Sequence, residues 1–305
     1  MENKRLKGVV QMGRVKPPFS YFGSKGRFFK EIKLIFEENY RKNFIDLFAG
    51  AMEIPINFKN EFKELDVLAN VKDEKIECFL SGNVVDTYKK GLEYIKCDLK
   101  INARNLYEND RAAFEEVNKR FKNIFSECCP CCGKKLSTRE KHEVFNENEK
   151  RILRSLMGFG GNGTTLTNAF YSEEKIKKLE LYIETLKTIK VTTDLFDESW
   201  EFKDSFIFLD PPYIRKTNVG EEGFIGYNYA DDKGVDWTIK DDARLIEFIK
   251  RNQNKNNVFL VFGSVDNNLS KLLKENFECK FIIKEYKKQM FGKLADKAEY
   301  FCLIK

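Results

Sequence analysis

The sequence predicts an α/β fold: a doubly wound, mostly parallel seven-stranded sheet with a helical lobe inserted into it. Three observations carry this expectation. Seven short apolar runs rich in Val, Ile and Phe recur along the 305 residues, and several are continuous, as in strands buried on both faces. Helical patterns alternate with these runs, which is the signature of a parallel sheet flanked by helices. Between about 75 and 165 the alternation stops, and a charged, cysteine-bearing helical stretch takes its place.

The strands are expected near 44–48, 65–69, 189–194, 206–210, 257–262, 280–285 and 299–304, and the helices near 26–40, 74–95, 172–187 and 238–252. Thr238 followed by Asp241 has the spacing of a capping box at the start of the last helix. Only a loop separates the final two strands, which predicts an antiparallel hairpin. Residues 1–74 and 166–305 thus form one domain, and 75–165 an insert ending in Gly158, Gly160, Gly161 and Gly163.

Composition narrows the function classes. Hydrophobic residues make up 42% and charged residues 33%, so a packed core is expected rather than disorder. No apolar run approaches the ~20 residues that span a bilayer. The charged start Met1-Glu2-Asn3-Lys4-Arg5 lacks the ~7–15-residue apolar stretch of a signal peptide. A cytoplasmic protein without a membrane partner is expected. The net charge of +6 is uneven, with an excess of four positive charges over residues 111–154, which is compatible with a polyanion partner. A single histidine, His142, argues against His-based acid–base catalysis and against a multi-His metal centre.

The strongest chemical signal is Asp210-Pro211-Pro212-Tyr213, directly after the apolar run Phe206-Ile207-Phe208-Leu209. It puts a carboxylate at the carboxyl end of a buried strand, where open α/β sheets bind ligands. The two prolines stiffen the backbone and remove N–H donors, leaving carbonyls that only accept. An aromatic face follows. A rigid pair of acceptors beside a stacking platform suits a planar ring that carries an amino group. Two further segments support a ligand site. In Pro18-Phe19-Ser20-Tyr21-Phe22-Gly23-Ser24-Lys25, Gly23 permits close backbone approach and Lys25 supplies a point charge. In Phe44-Ile45-Asp46-Leu47-Phe48-Ala49-Gly50-Ala51 a strand runs into a small-residue turn that admits a nucleotide-like ligand. The full dinucleotide glycine pattern is absent, as suits a ligand with no pyrophosphate.

These residues resemble the DNA adenine-N6 methyltransferases of the Dam type, and the resemblance covers most of the chain outside 75–165. It implies a Rossmann-like fold that binds S-adenosylmethionine and moves its methyl group to adenine N6 in a flipped-out base. Asp210, Pro211, Pro212 and Tyr213 would be the catalytic tetrad. Tyr21, Gly23, Lys25, Asp46, Phe48, Gly50, Asn70, Asp194 and Asp210 would line the cofactor site, with Lys25 serving the cofactor's carboxylate end, Asn70 the ribose and Asp194 the adenine. Two positions depart from the family pattern: Met52 replaces a common glycine, and Asn70 replaces the usual Asp. The resemblance further implies double-stranded DNA as partner, a cognate restriction endonuclease or a solitary role, and target recognition by 75–165. The loop after the tetrad, with Arg215, Lys216, Tyr227, Tyr229 and Trp237, is expected to close over DNA. Rival readings are an inactive DNA-binding module of the same fold, an RNA adenine methyltransferase and a cytosine-N4 methyltransferase.

Four of the eight cysteines fall within five residues, and Cys129-Pro130-Cys131-Cys132-Gly133 has the form of a zinc knuckle. Cys129 and Cys132 are the first candidate ligands. Cys128, Cys131, His142, Cys78 or Cys97 would complete a tetrahedral set. The alternative is a group of reduced, partly buried thiols.

Overall fold

In the computed structural model, residues 14–19, 25–72, 74–96, 103–126, 144–158, 163–212, 237–265, 267–290 and 293–305 are described. The apolar runs pair into one seven-stranded sheet. Strands β1 (Asn43–Asp46), β2 (Asp66–Asn70), β3 (Lys190–Thr192), β4 (Ser205–Leu209) and β5 (Val258–Ser264) run parallel. The long hairpin of β6 (Lys280–Met290) and β7 (Lys293–Ile304) closes one side antiparallel, giving the order β3-β2-β1-β4-β5-β7-β6.

Every residue of β4 is buried, and its side chains alternate between two cores. Phe206 and Phe208 join Phe44, Val258 and Leu260 on one face, while Ile207 and Leu209 join Ile45, Phe259 and Val261 on the other. Continuous apolarity in the sequence is therefore the trace of two faces filled at once.

Helices α1 (Phe29–Glu38), α2 (Glu53–Glu61) and α8 (Glu173–Leu186) contribute to the first core, whereas α9 (Ile239–Gln253) and α10 (Asn268–Asn276) contribute to the second. The first core does not stop at the sheet. It runs on without a break into α3 (Glu74–Ser81), α4 (Val84–Tyr94), α5 (Ala103–Asn109), α6 (Arg111–Ile124) and α7 (Glu147–Met157). Buried hydroxyls stitch the join: Tyr182 donates to the Ala51 carbonyl at 3.0 Å, and Tyr88 to the Phe170 carbonyl at 2.5 Å.

Local chemistry sets the helix starts. Asn146 and Glu149 form a reciprocal capping box on α7, at 2.9 and 2.8 Å. At α9 the Asp241 carboxylate accepts from the Thr238 N–H at 2.8 Å, on the spacing read in the sequence. The helix expected over 74–95 is two helices. Gly82 ends α3, and a Cβ there would lie 2.9 Å from Ile152 of α7 and 2.8 Å from the Cys78 carbonyl. The break lets α7 pack closely. The last two strands are longer than their apolar patterns, because their outer halves pair only with each other. No helix among the described residues is long and apolar enough to cross a membrane.

Candidate active site

The strand order reverses between β1 and β4, so a crevice opens at their carboxyl ends. Asp46 closes β1. Its register partner on β4 is Phe208, so Asp210 lies two residues beyond on the adjacent strand. Lys25 comes to the same place from the segment before α1, with its Nζ 2.7 Å from Asp210 Oδ2 and 4.9 Å from the centroid of the Phe262 ring. Three of the expected residues, Lys25, Asp46 and Asp210, thus converge. Lys25 itself sits on Asp210 here, rather than standing apart to meet a ligand carboxylate.

Asp46 is 1% exposed. Burial pushes its carboxyl well above the usual carboxylate range; the Phe48 N–H, donating to Oδ1 at 3.1 Å, pulls the other way, Asp210 adds to the rise and Lys25 opposes it. A buried acid next to a second acid is a group held ready for a cation.

The turn after β1 is built from small residues. Gly50 has φ 47°, and the Ala49 N–H donates to the Asn70 carbonyl at 3.0 Å. Met52, standing where a glycine is common, also takes a left-handed conformation, with φ 59° and ψ 14°, at the start of α2. That conformation costs an L-residue roughly 1–2 kcal/mol. The Met52 side chain is fully buried, and burying such a side chain contributes about 1.5–3 kcal/mol, so packing holds the strained turn.

At the end of β2, Asn70 is saturated. Its Nδ2 donates to the carbonyls of Asp194 at 3.0 Å and Leu47 at 3.4 Å. Its Oδ1 accepts from the Thr192 hydroxyl at 2.9 Å and the Asp194 N–H at 3.1 Å. Both donors and both acceptor sites of the amide are occupied. Asn70 therefore clasps β2 to the turn after β3 and positions Asp194, which is exposed.

An aromatic group borders this edge. Phe48 meets Trp237 edge-on at 5.3 Å and Phe196 at 5.5 Å. Trp237 was expected on a DNA-facing loop. Instead it is buried in the second core, where its Nε1 donates to Asp242 Oδ1 at 2.8 Å; Asn268 holds the other Asp242 oxygen at 2.9 Å. Phe196 escaped the sequence reading, although an aromatic two residues past Asp194 was a usable signal. Asp242 offered none beyond an acid in a first helical turn.

Pro211 is buried and Pro212 exposed. Tyr21, Gly23, Tyr213, Arg215, Lys216, Tyr227 and Tyr229 lie outside the described residues, as do Cys97, Cys128, Cys129, Cys131, Cys132 and His142. Among the described residues no group of three potential metal ligands occurs, and Cys78, Cys279 and Cys302 are free thiols.

This crevice sits within a region of clear kinship. The chain is 24% identical over 243 residues to "Modification methylase StsI" of Streptococcus sanguinis, a match covering 77% of this chain and 33% of that protein, so the chain spans about a third of that relative's length. Residues 21–291 match the family described as D12 class N6 adenine-specific DNA methyltransferase. With most of its length under that match, and with the sheet order and strand-end acids that accompany it, the chain belongs to the D12 class N6 adenine-specific DNA methyltransferase family.

Proposed function

We propose that this chain transfers a methyl group from S-adenosylmethionine to N6 of adenine at specific sites in double-stranded DNA. The observation that carries the reading is the corner at β4: Asp210, fixed by Lys25 at 2.7 Å beside buried Asp46, followed by two prolines at the switch point of the sheet.

The residues present suit such a cofactor. Asp46 is a buried acid whose ionised form a cationic ligand favours, and the Ala49-Gly50-Ala51 turn offers backbone without bulky side chains. Asp46, Phe48 and Gly50 would hold it, with Asp194, Tyr21 and Gly23 assigned by resemblance. When bound, the cofactor supplies a methyl group activated on a sulfonium.

The chain's own residues act on the amine. The adenine amino nitrogen is a poor nucleophile because its lone pair is delocalised into the ring. The Asp210 carboxylate and the Pro211 carbonyl accept its two hydrogens and favour the pyramidal geometry in which that lone pair is freed. Positive charge develops on the nitrogen during attack, so both acceptors bind the transition state better than the ground state. Groups of this kind are worth about 3–4 kcal/mol each by analogy with oxyanion-hole donors. Lys25 fixes the Asp210 rotamer, which keeps one carboxylate oxygen placed for the amine. No histidine base takes part. Because N6 is out of reach inside a duplex, the base must leave the stack, and Tyr213 is its stacking partner in this reading.

The relative's title supports a modification role, and with it a cognate restriction endonuclease as partner. As a DNA-modifying enzyme the chain would work in the cytoplasm. The helices of the insert would read the target sequence, and zinc on the Cys129–Cys132 knuckle remains part of this reading. Incubating the protein with labelled S-adenosylmethionine and DNA tests it. Label should appear in N6-methyladenine, and Asp210→Ala should abolish transfer while DNA binding persists. The saturated amide of Asn70 favours one rival, an inactive DNA-binding module, because no carboxylate stands at that strand end. Unlabelled DNA with intact DNA binding would select that rival.

A further inference from the structure

The hairpin of β6 and β7 outruns the sheet. β7 pairs with β5 only from Phe259↔Ile304 to Ser264↔Glu299. Pairing between β6 and β7 continues through six further residue pairs, from Glu285↔Ala298 to Met290↔Lys293, with no third strand. Ser264 is the carboxyl end of β5, on the same edge as Asp46 and Asp210. The free ribbon therefore projects beyond the edge that carries the corner, by about 20 Å at ~3.4 Å per residue.

Its register sorts charge by face. Directly opposed residues of an antiparallel pair share a face, and the face alternates along each strand. One face carries Lys284, Tyr286, Lys288 and Met290 with Lys293, Ala295, Lys297 and Glu299, which makes four lysines against one acid. The other carries Glu285, Lys287 and Gln289 with Leu294, Asp296 and Ala298, one lysine against two acids. At the base of the cationic face the acid is already matched, because Arg27 reaches Glu299 at 2.9 Å and lies 3.7 Å from the centre of the Tyr286 ring. Lys284 pairs with Glu31 at 3.7 Å. That leaves Lys288, Lys293 and Lys297 on a face with no other acid. Arg27, two residues after Lys25, joins this face to the corner.

We propose that the cationic face of the ribbon is a phosphate-binding surface that holds the DNA duplex beside the target base. The inference rests on the methyltransferase reading above and adds to it a named surface. A twisted two-stranded ribbon is of a size that the DNA major groove admits, and lysines on one face suit a backbone of phosphates. Contacts of this type position the duplex without reading its sequence.

The test compares a triple variant, Lys288→Gln with Lys293→Gln and Lys297→Gln, with Lys287→Gln on the opposite face. DNA dissociation constants are measured across a salt series, and S-adenosylmethionine binding reports that each variant is folded. Each phosphate contact contributes about 0.9 to the slope of log K against log salt, so the triple variant should lose close to 3 from that slope and bind DNA more weakly at every salt. Lys287→Gln should match wild type. A triple variant with wild-type slope and affinity overturns the proposal, as does a loss from Lys287→Gln as large as a third of the triple loss. If wild-type protein neither binds nor methylates DNA, the methyltransferase reading fails instead, so the two failures are distinct.

Discussion

Two neighbouring strand ends of one sheet are built in opposite ways. At β2, Asn70 has every donor and acceptor matched, and it ties two strands and a turn together. One strand over, Asp46 is buried next to a second acid, its carboxyl pushed up by loss of water and by Asp210. The first end is at rest, whereas the second is under electrostatic stress that a cation would relieve. Saturation marks a structural clasp, and a buried, mismatched acid marks a place where chemistry is done.

The sharpest way to break this contrast is at Asp210. Replacing it with Asn keeps the shape but removes the charged acceptor, and methyl transfer should fall by about 10²–10³-fold, read as kcat at saturating DNA. Asn70→Asp should strike the other end through stability. Aspartate cannot donate, so the carbonyls of Asp194 and Leu47 lose their partner, a loss of about 1–3 kcal/mol that thermal or urea unfolding will register. If Asn70 were a cofactor ligand rather than a clasp, that substitution would instead raise cofactor affinity at unchanged stability.

Asp46→Asn should have a smaller effect, and its sign can be worked out. With its pKa raised in the folded state, Asp46 keeps a proton there that the unfolded chain has released. Wild-type stability therefore falls as pH rises from about 4, the ordinary carboxylate value, up to the raised native value. Asn carries no such proton. The variant should gain on wild type through that window and keep the gain above it, while binding S-adenosylmethionine more weakly. Equal pH profiles for the two proteins would mean that Asp46 is not stressed. The smallest change is expected at Tyr300, whose buried hydroxyl has no hydrogen-bond partner among the described residues and fills the space over Gly263. Tyr300→Phe should leave the melting temperature level or raise it slightly.

Much of this molecule was legible in its sequence. Runs such as Phe206–Leu209 announced buried strands because two cores demand apolar side chains at consecutive positions. Asp210 was legible because a carboxylate at the end of such a run has one place to be. The outer half of the final hairpin was not, since a ribbon paired only with itself needs no apolar stripe. Nor was the split at Gly82, which follows from the approach of Ile152, far off in the chain. The Lys25–Asp210 pair and the four bonds of Asn70 were hidden for a similar reason: spacing along a chain says nothing about partners brought together by folding. Trp237 misled because an aromatic after a charged loop reads as surface, while its indole had a buried acid to bind.

The first core, running from Phe44 in the sheet through Tyr182 to Phe121 and Leu153 in the inserted helices, has a consequence for how this chain can be altered. Sheet and insert share one interior, so they melt as a single cooperative unit, and excising residues 75–165 would strip the oil from one whole side of the sheet. A graft that swaps the insert for another must carry its apolar underside along with its recognition surface.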